Sequence, residues 1–124
     1  MKQARIAIAV VTLAALGSAA ALVVPALASS TRAAKTMTVY VTASEFKFKL
    51  SKLSYPVGTT VVFKVKNKGK IGHNFKIDGK KTPLIQPGTT TRLVVTFKKK
   101  GRYPYSCTVP GHASAGMKGV FTVR

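Results

Sequence analysis

From Thr36 to its last residue the chain alternates apolar and polar side chains at period two, and no stretch keeps the spacing of an amphipathic helix. Phe46, Phe48 and Leu50 share one face of an extended segment, and Lys47 and Lys49 share the other. Phe63 and Val65 oppose Lys64 and Lys66 in the same way. Leu93, Val95 and Phe97 oppose Arg92 and Thr96, with Val94 blurring that last pattern. Turn-forming residues punctuate the alternation: Pro56 with Gly58, Asn67 with Gly69, Asp78 with Gly79, Pro87 with Gly88, and Gly101. These signals predict strands at about Thr36 to Ala43, Phe46 to Leu50, Thr60 to Lys66, His73 to Ile77, Thr90 to Phe97, Gly101 to Cys107 and Gly119 to Val123. The expected fold class is all-β, a sandwich or Greek-key barrel of about seven to eight strands around one apolar layer.

The first 28 residues follow a different logic. Lys2 and Arg5 precede an apolar run from Ile6 to Val24, and Ala26-Leu27-Ala28 offers the small residues that a signal peptidase accepts. Residues 1–28 therefore read as a signal peptide, with an uncleaved membrane anchor as the competing reading, because the run exceeds the usual h-region of about 7 to 15 residues. Pro25 would break a spanning helix and favours cleavage. No Cys stands near this site, which argues against a lipid-modified N-terminus. Residues 29–35 are expected to be a flexible linker, and 36–124 the single folded domain, exported to a periplasm, the cell envelope or the medium.

Lys and Arg number 21 against two acids, Glu45 and Asp78, and taking Lys2 and Arg5 from the net +19 leaves +17 after export. Such a field attracts acidic protein surfaces, anionic envelope polymers and membrane headgroups, and its pull weakens as salt rises. The Phe residues alternate inward rather than interleaving with Lys on an exposed face, so a specific nucleic-acid reader is not expected. Lys98-Lys99-Lys100 is expected at a hairpin tip, as a solvated basic cluster. A monomer is expected.

One Cys rules out an internal disulfide, so Cys107 needs another role. It stands in Tyr105-Ser-Cys107-Thr-Val-Pro-Gly-His112-Ala-Ser-Ala-Gly-Met117, where a thiolate, an imidazole and a thioether lie among small residues that allow a tight loop. The other of the two His residues, His73, begins a predicted strand in Ile71-Gly-His73-Asn-Phe. If the start of that strand lies beside the end of the strand bearing Cys107, the four side chains form a His2Cys site with an axial Met. Zinc accepts the imidazoles and thiolate but is a poor partner for a thioether, whereas copper in electron-transfer sites takes this whole set. Taken singly, His73 reads as an ordinary strand-end residue and Met117 as core filler; it is their joint occurrence with the lone Cys that points to one copper ion.

At these residues the chain resembles the cupredoxins, the small blue copper proteins of the plastocyanin and azurin type. The resemblance runs from about Thr36 to Arg124 and rests on Cys107-x4-His112-x4-Met117 downstream of Gly-His73-Asn74. It implies a Greek-key β-sandwich and a one-electron carrier between redox partners. In it, His73 and His112 are equatorial imidazole ligands, Cys107 the equatorial thiolate and Met117 the weak axial ligand. It further implies that Asn74 ties the two ligand loops together near the sulfur and that His112 is the electron port. An apolar collar of Ile71, Pro83, Leu84, Pro110, Ala113 and Ala115 would then surround that port. Plastocyanins proper have two residues between Cys and His where this chain has four, Thr108 to Gly111, which leaves the axial distance and the potential open. An exported copper carrier or buffer is the binding-module alternative. A Cys/His hydrolase, with Cys107 as nucleophile and Asn74 as orienter, is the enzyme alternative; it leaves Met117 without a role and is disfavoured.

Overall fold

The computed structural model describes residues 12, 14, 15, 17–22 and 34–124. The expected leader (1–28) and linker (29–35) lie largely outside the described residues. Among those described, no helix is long and apolar enough to cross a membrane.

The described residues form nine strands and no helix: β1 (Thr36–Ser44), β2 (Lys47–Leu50), β3 (Ser54–Tyr55), β4 (Thr60–Asn67), β5 (Lys76–Ile77), β6 (Lys80–Lys81), β7 (Thr90–Thr96), β8 (Gly101–Ser106) and β9 (Lys118–Val123). They build two sheets, in the order β2-β1-β4-β7 and β3-β9-β8-β5-β6. The pairs β1 with β4 and β3 with β9 are parallel, and the remaining pairs are antiparallel. Every segment that the alternation predicts contains a strand. The count reaches nine because β3 and β6 are two-residue strands, too short for a period to register.

The inward rows meet as expected of a two-layer fold. Val39, Val41, Ala43, Val61, Phe63, Val65 and Val95 from one sheet pack with Ile77, Tyr105, Phe121 and Val123 from the other. Phe63 joins the layers, with ring centroids 5.2 Å from Phe75 and 5.5 Å from Phe121.

Three local expectations are corrected. Only Lys76 and Ile77 of the segment from His73 to Ile77 are strand; His73 instead makes an isolated bridge to Ile85, with N–H···O bonds of 3.2 and 2.7 Å in the two directions. Phe46, expected inward, sits in the turn between β1 and β2 and is 41% exposed, because the turn ends the alternation one residue before β2 begins. Lys98 to Lys100 do not cap a hairpin: β7 pairs with β4 and β8 with β9, so this basic link carries the chain from one sheet to the other.

The parallel register puts the ends of β1 and β4 together, and the pairing of Ser106 with Lys118 does the same for the end of β8 and the start of β9. The contact of Phe46 with His112 and Gly116 brings both groups to one end of the sandwich. The loops leaving that end carry the residues of interest. Asn67, fully buried at the end of β4, shapes one of them: its Nδ2 donates to the carbonyls of Ile71 and Ile85, each at 2.8 Å, and its Oδ1 accepts from Gly69 N–H at 2.8 Å. This satisfies a buried amide completely and directs residues 68–72 toward the core entrance.

Candidate metal centre

His73, Cys107 and His112 converge, with one ligand atom of each lying within 4.8 Å of the others. The two Nδ1 atoms stand 3.1 Å apart, and Cys107 Sγ lies 3.5 Å from His112 Nδ1. Their exposure is 0% for His73, 1% for Cys107 and 8% for His112, so the thiol is shielded and the His112 ring alone of the three approaches the surface.

Backbone bonds close the second loop around this point. Cys107 N–H donates to Met117 carbonyl at 3.0 Å, and Met117 N–H donates to His112 carbonyl at 3.1 Å. Between them, Ala115 N–H reaches Gly111 carbonyl at 3.1 Å and Ser114 Oγ donates to the same oxygen at 2.9 Å. Gly116 adopts a φ of 124°, and a Cβ there would stand 3.0 Å from the Phe46 carbonyl, so both conformation and space call for glycine. Met117 is fully buried immediately before β9. Asn74 joins the two loops: its Oδ1 accepts from Thr108 N–H at 2.7 Å and its Nδ2 donates to Thr108 Oγ1 at 2.6 Å.

A carboxylate that sequence reasoning passed over completes the surroundings. Glu45 Oε1 accepts from Lys70 N–H at 2.8 Å, from Ile71 N–H at 3.1 Å and from His73 Nε2 at 3.1 Å. A carboxylate can only accept, so Nε2 of His73 is the donor of this contact, and in the neutral ring that leaves Nδ1 with a lone pair toward His112 and Cys107. Its neighbour Phe46 leans edge-on against the His112 ring at 5.1 Å. Both residues belong to the β1–β2 turn, and the available signal was that Glu45 is one of only two acids in the chain.

Partial burial pushes the Glu45 carboxyl up, but the amides of its own residue, Lys70 and Ile71 and the His73 ring outweigh that and bring it from the ordinary 4.5 to about 2. A carboxyl held lower in the folded state than in the unfolded chain stabilises the fold fully above the unfolded value, and the contribution disappears as pH falls through the folded one. The urea midpoint of the metal-free wild type should therefore exceed that of Glu45→Gln near neutrality, with the gap closing between pH 4.5 and about 2. A gap that ignores pH across this window contradicts the assignment.

The donor set fits a soft or borderline cation. Bonds of about 2.0 to 2.3 Å to three trigonal donors place those donors roughly 3.5 to 4 Å apart, against 3.1 and 3.5 Å for the two pairs that meet at His112 Nδ1. Two imidazoles and a thiolate shielded from water match the copper set better than a hard-cation cage, which needs oxygen ligands.

The chain matches the cupredoxin-like domain family over residues 7–123. Over 53 residues it is 40% identical to the copper-resistant cuproprotein CopI of Pseudomonas aeruginosa, an alignment covering 43% of this chain and 29% of that one. A Vibrio cholerae protein of the same name aligns over 46% of its length, so the chain spans less than half the length of these curated relatives. Among solved structures, rusticyanin from Thiobacillus ferrooxidans superposes with a TM-score of 0.63 at 26% identity, covering 73% of this chain and 78% of its own. Auracyanin A from Chloroflexus aurantiacus, described as a blue copper protein, superposes with a TM-score of 0.60 at 22% identity over 72% of this chain and 99% of its own, a likeness of fold.

Proposed function

Since the chain belongs to the cupredoxin-like family and its cofactor is copper, we propose that it is an exported one-electron carrier whose single metal ion is held by His73, Cys107 and His112, with Met117 as axial ligand. The observation that carries this reading is the meeting of three buried donors, two imidazole Nδ1 and one thiol sulfur, within 4.8 Å. Bound there, copper supplies a Cu(I)/Cu(II) couple. The protein's own contribution is rigidity. Backbone bonds among Cys107, His112 and Met117, and the Asn74 bridge to Thr108, limit how far donor atoms travel between oxidation states.

Electrons enter and leave through His112, the most exposed of the donors. Phe46, Ile71 and Leu84 are exposed apolar side chains on the loops of this end, and they support a small, quickly released docking surface. The net charge of +19 supports acidic surfaces on the redox partners. Export is supported by the basic, apolar and small-residue succession of residues 1–28, and the domain by the compact unit from Arg32 to Arg124.

The name of the CopI relatives favours a second reading, a carrier or buffer for copper itself. Adding Cu(II) to the metal-free protein separates the readings. An electron carrier develops an intense thiolate-to-copper band with narrow hyperfine splitting and keeps the metal against a modest chelator in both oxidation states. Rapid loss of copper to the chelator favours delivery, and no thiolate band refutes both.

A further inference from the structure

We propose that Glu45 is the positioning residue of this metal centre: its carboxylate holds His73 with Nδ1 turned to the metal and, by its charge, favours the oxidised ion, so that it sets a lower reduction potential. The inference rests on the copper reading above.

A single oxygen, Oε1, receives His73 Nε2 at 3.1 Å together with the amides of Lys70 and Ile71 at 2.8 and 3.1 Å, so the histidine and the loop that presents it are fixed by one atom. Gly69 lies directly against this carboxylate, so a Cβ at that position would displace the acid from its place beside His73. Charge distribution argues the same way. With 21 basic residues and two acids, the chain does not use carboxylates to balance its surface, yet one of the two is placed on the most deeply buried imidazole. A histidine that donates its outer N–H to a carboxylate is locked in one tautomer and is a stronger donor at its inner nitrogen. The negative charge adds a stabilisation that is greater for Cu(II) than for Cu(I).

The plainer alternative, that Glu45 merely pins the loop, predicts different behaviour. Gln at this position keeps Oε1 as an acceptor for all three donors and removes only the charge, whereas Ala removes both. The test uses the full chain as wild type, Glu45→Gln and Glu45→Ala. In the metal-free protein, long-range nitrogen-15 correlations of the imidazoles should show His73 as the Nε2–H tautomer in the wild type and a mixture in Glu45→Ala. With copper, Glu45→Gln should keep the thiolate band and raise the midpoint potential. Glu45→Ala should in addition lose about 10- to 100-fold in Cu(II) affinity. Each tenfold loss for Cu(II) relative to Cu(I) reads as a rise of about 59 mV in a one-electron couple. A blue wild type whose potential is unmoved in Glu45→Gln overturns the charge role and leaves the copper reading standing, and an unchanged tautomer in Glu45→Ala overturns the positioning role. A wild type with no thiolate band overturns the copper reading, and with it the potential claim, while the tautomer result still decides the contact between Glu45 and His73.

Discussion

Cys107→Ser should abolish the intense visible absorption of the copper-loaded protein and leave its β-sheet circular dichroism in place. The chain has one Cys, so no other sulfur of that kind can substitute. The thiol is 1% exposed and lies 3.5 Å from His112 Nδ1, while its own N–H is fixed to Met117 carbonyl. A serine would occupy the same place with a harder oxygen that holds Cu(I) poorly. The metal's contribution to stability goes with the sulfur. A ligand at a hundredfold excess over its dissociation constant stabilises the state it binds by about 2.7 kcal/mol, so the rise in melting temperature on adding copper should vanish in the variant. A variant that retains both the band and the thermal shift means that the metal is held elsewhere.

Phe63→Ala should lower the unfolding free energy of the metal-free protein by about 3 to 5 kcal/mol, measured by urea titration. Phe63 is fully buried on β4, in the centre of its sheet, and its ring meets Phe75 and Phe121 of the opposite layer as well as Phe97 at 6.4 Å. Deleting it leaves a cavity bordered by aromatic rings that cannot collapse into the gap. A domain of this size usually has about 5 to 15 kcal/mol in total, and with a single Cys it has no internal disulfide in reserve. Because Phe75 stands two residues after His73, copper affinity should fall in the same variant. A loss below about 1 kcal/mol would mean that the two layers are not joined at this ring.

The fold was legible because burial on one face of a strand imposes an alternation that survives without neighbours, as Phe63-Lys64-Val65-Lys66 does. The convergence of His73, Cys107 and His112 was legible for a chemical reason: few residue types bind a soft cation, and this chain has few of them. Glu45 was not legible. Its role depends on a turn that meets a loop 28 positions later, a contact with no local pattern, and a lone acid beside a strand reads as surface. Phe46 misled for the opposite reason, since it continues an alternation that the backbone has already left. The basic triplet at Lys98 to Lys100 resembles a hairpin tip in composition, but which strands a link connects is decided by pairing across the sheets.

The first strand runs toward Glu45 and the last runs away from Met117, so Thr36 and Arg124 both emerge at the far pole of the sandwich, where Val57 N–H bonds to Arg124 carbonyl. Along β1 that pole lies roughly 26 Å from the turn, at about 3.3 Å per residue. A group attached beside Thr36 or beside Arg124 would thus stand at the opposite pole from His73, Cys107 and His112 and leave their loops uncovered.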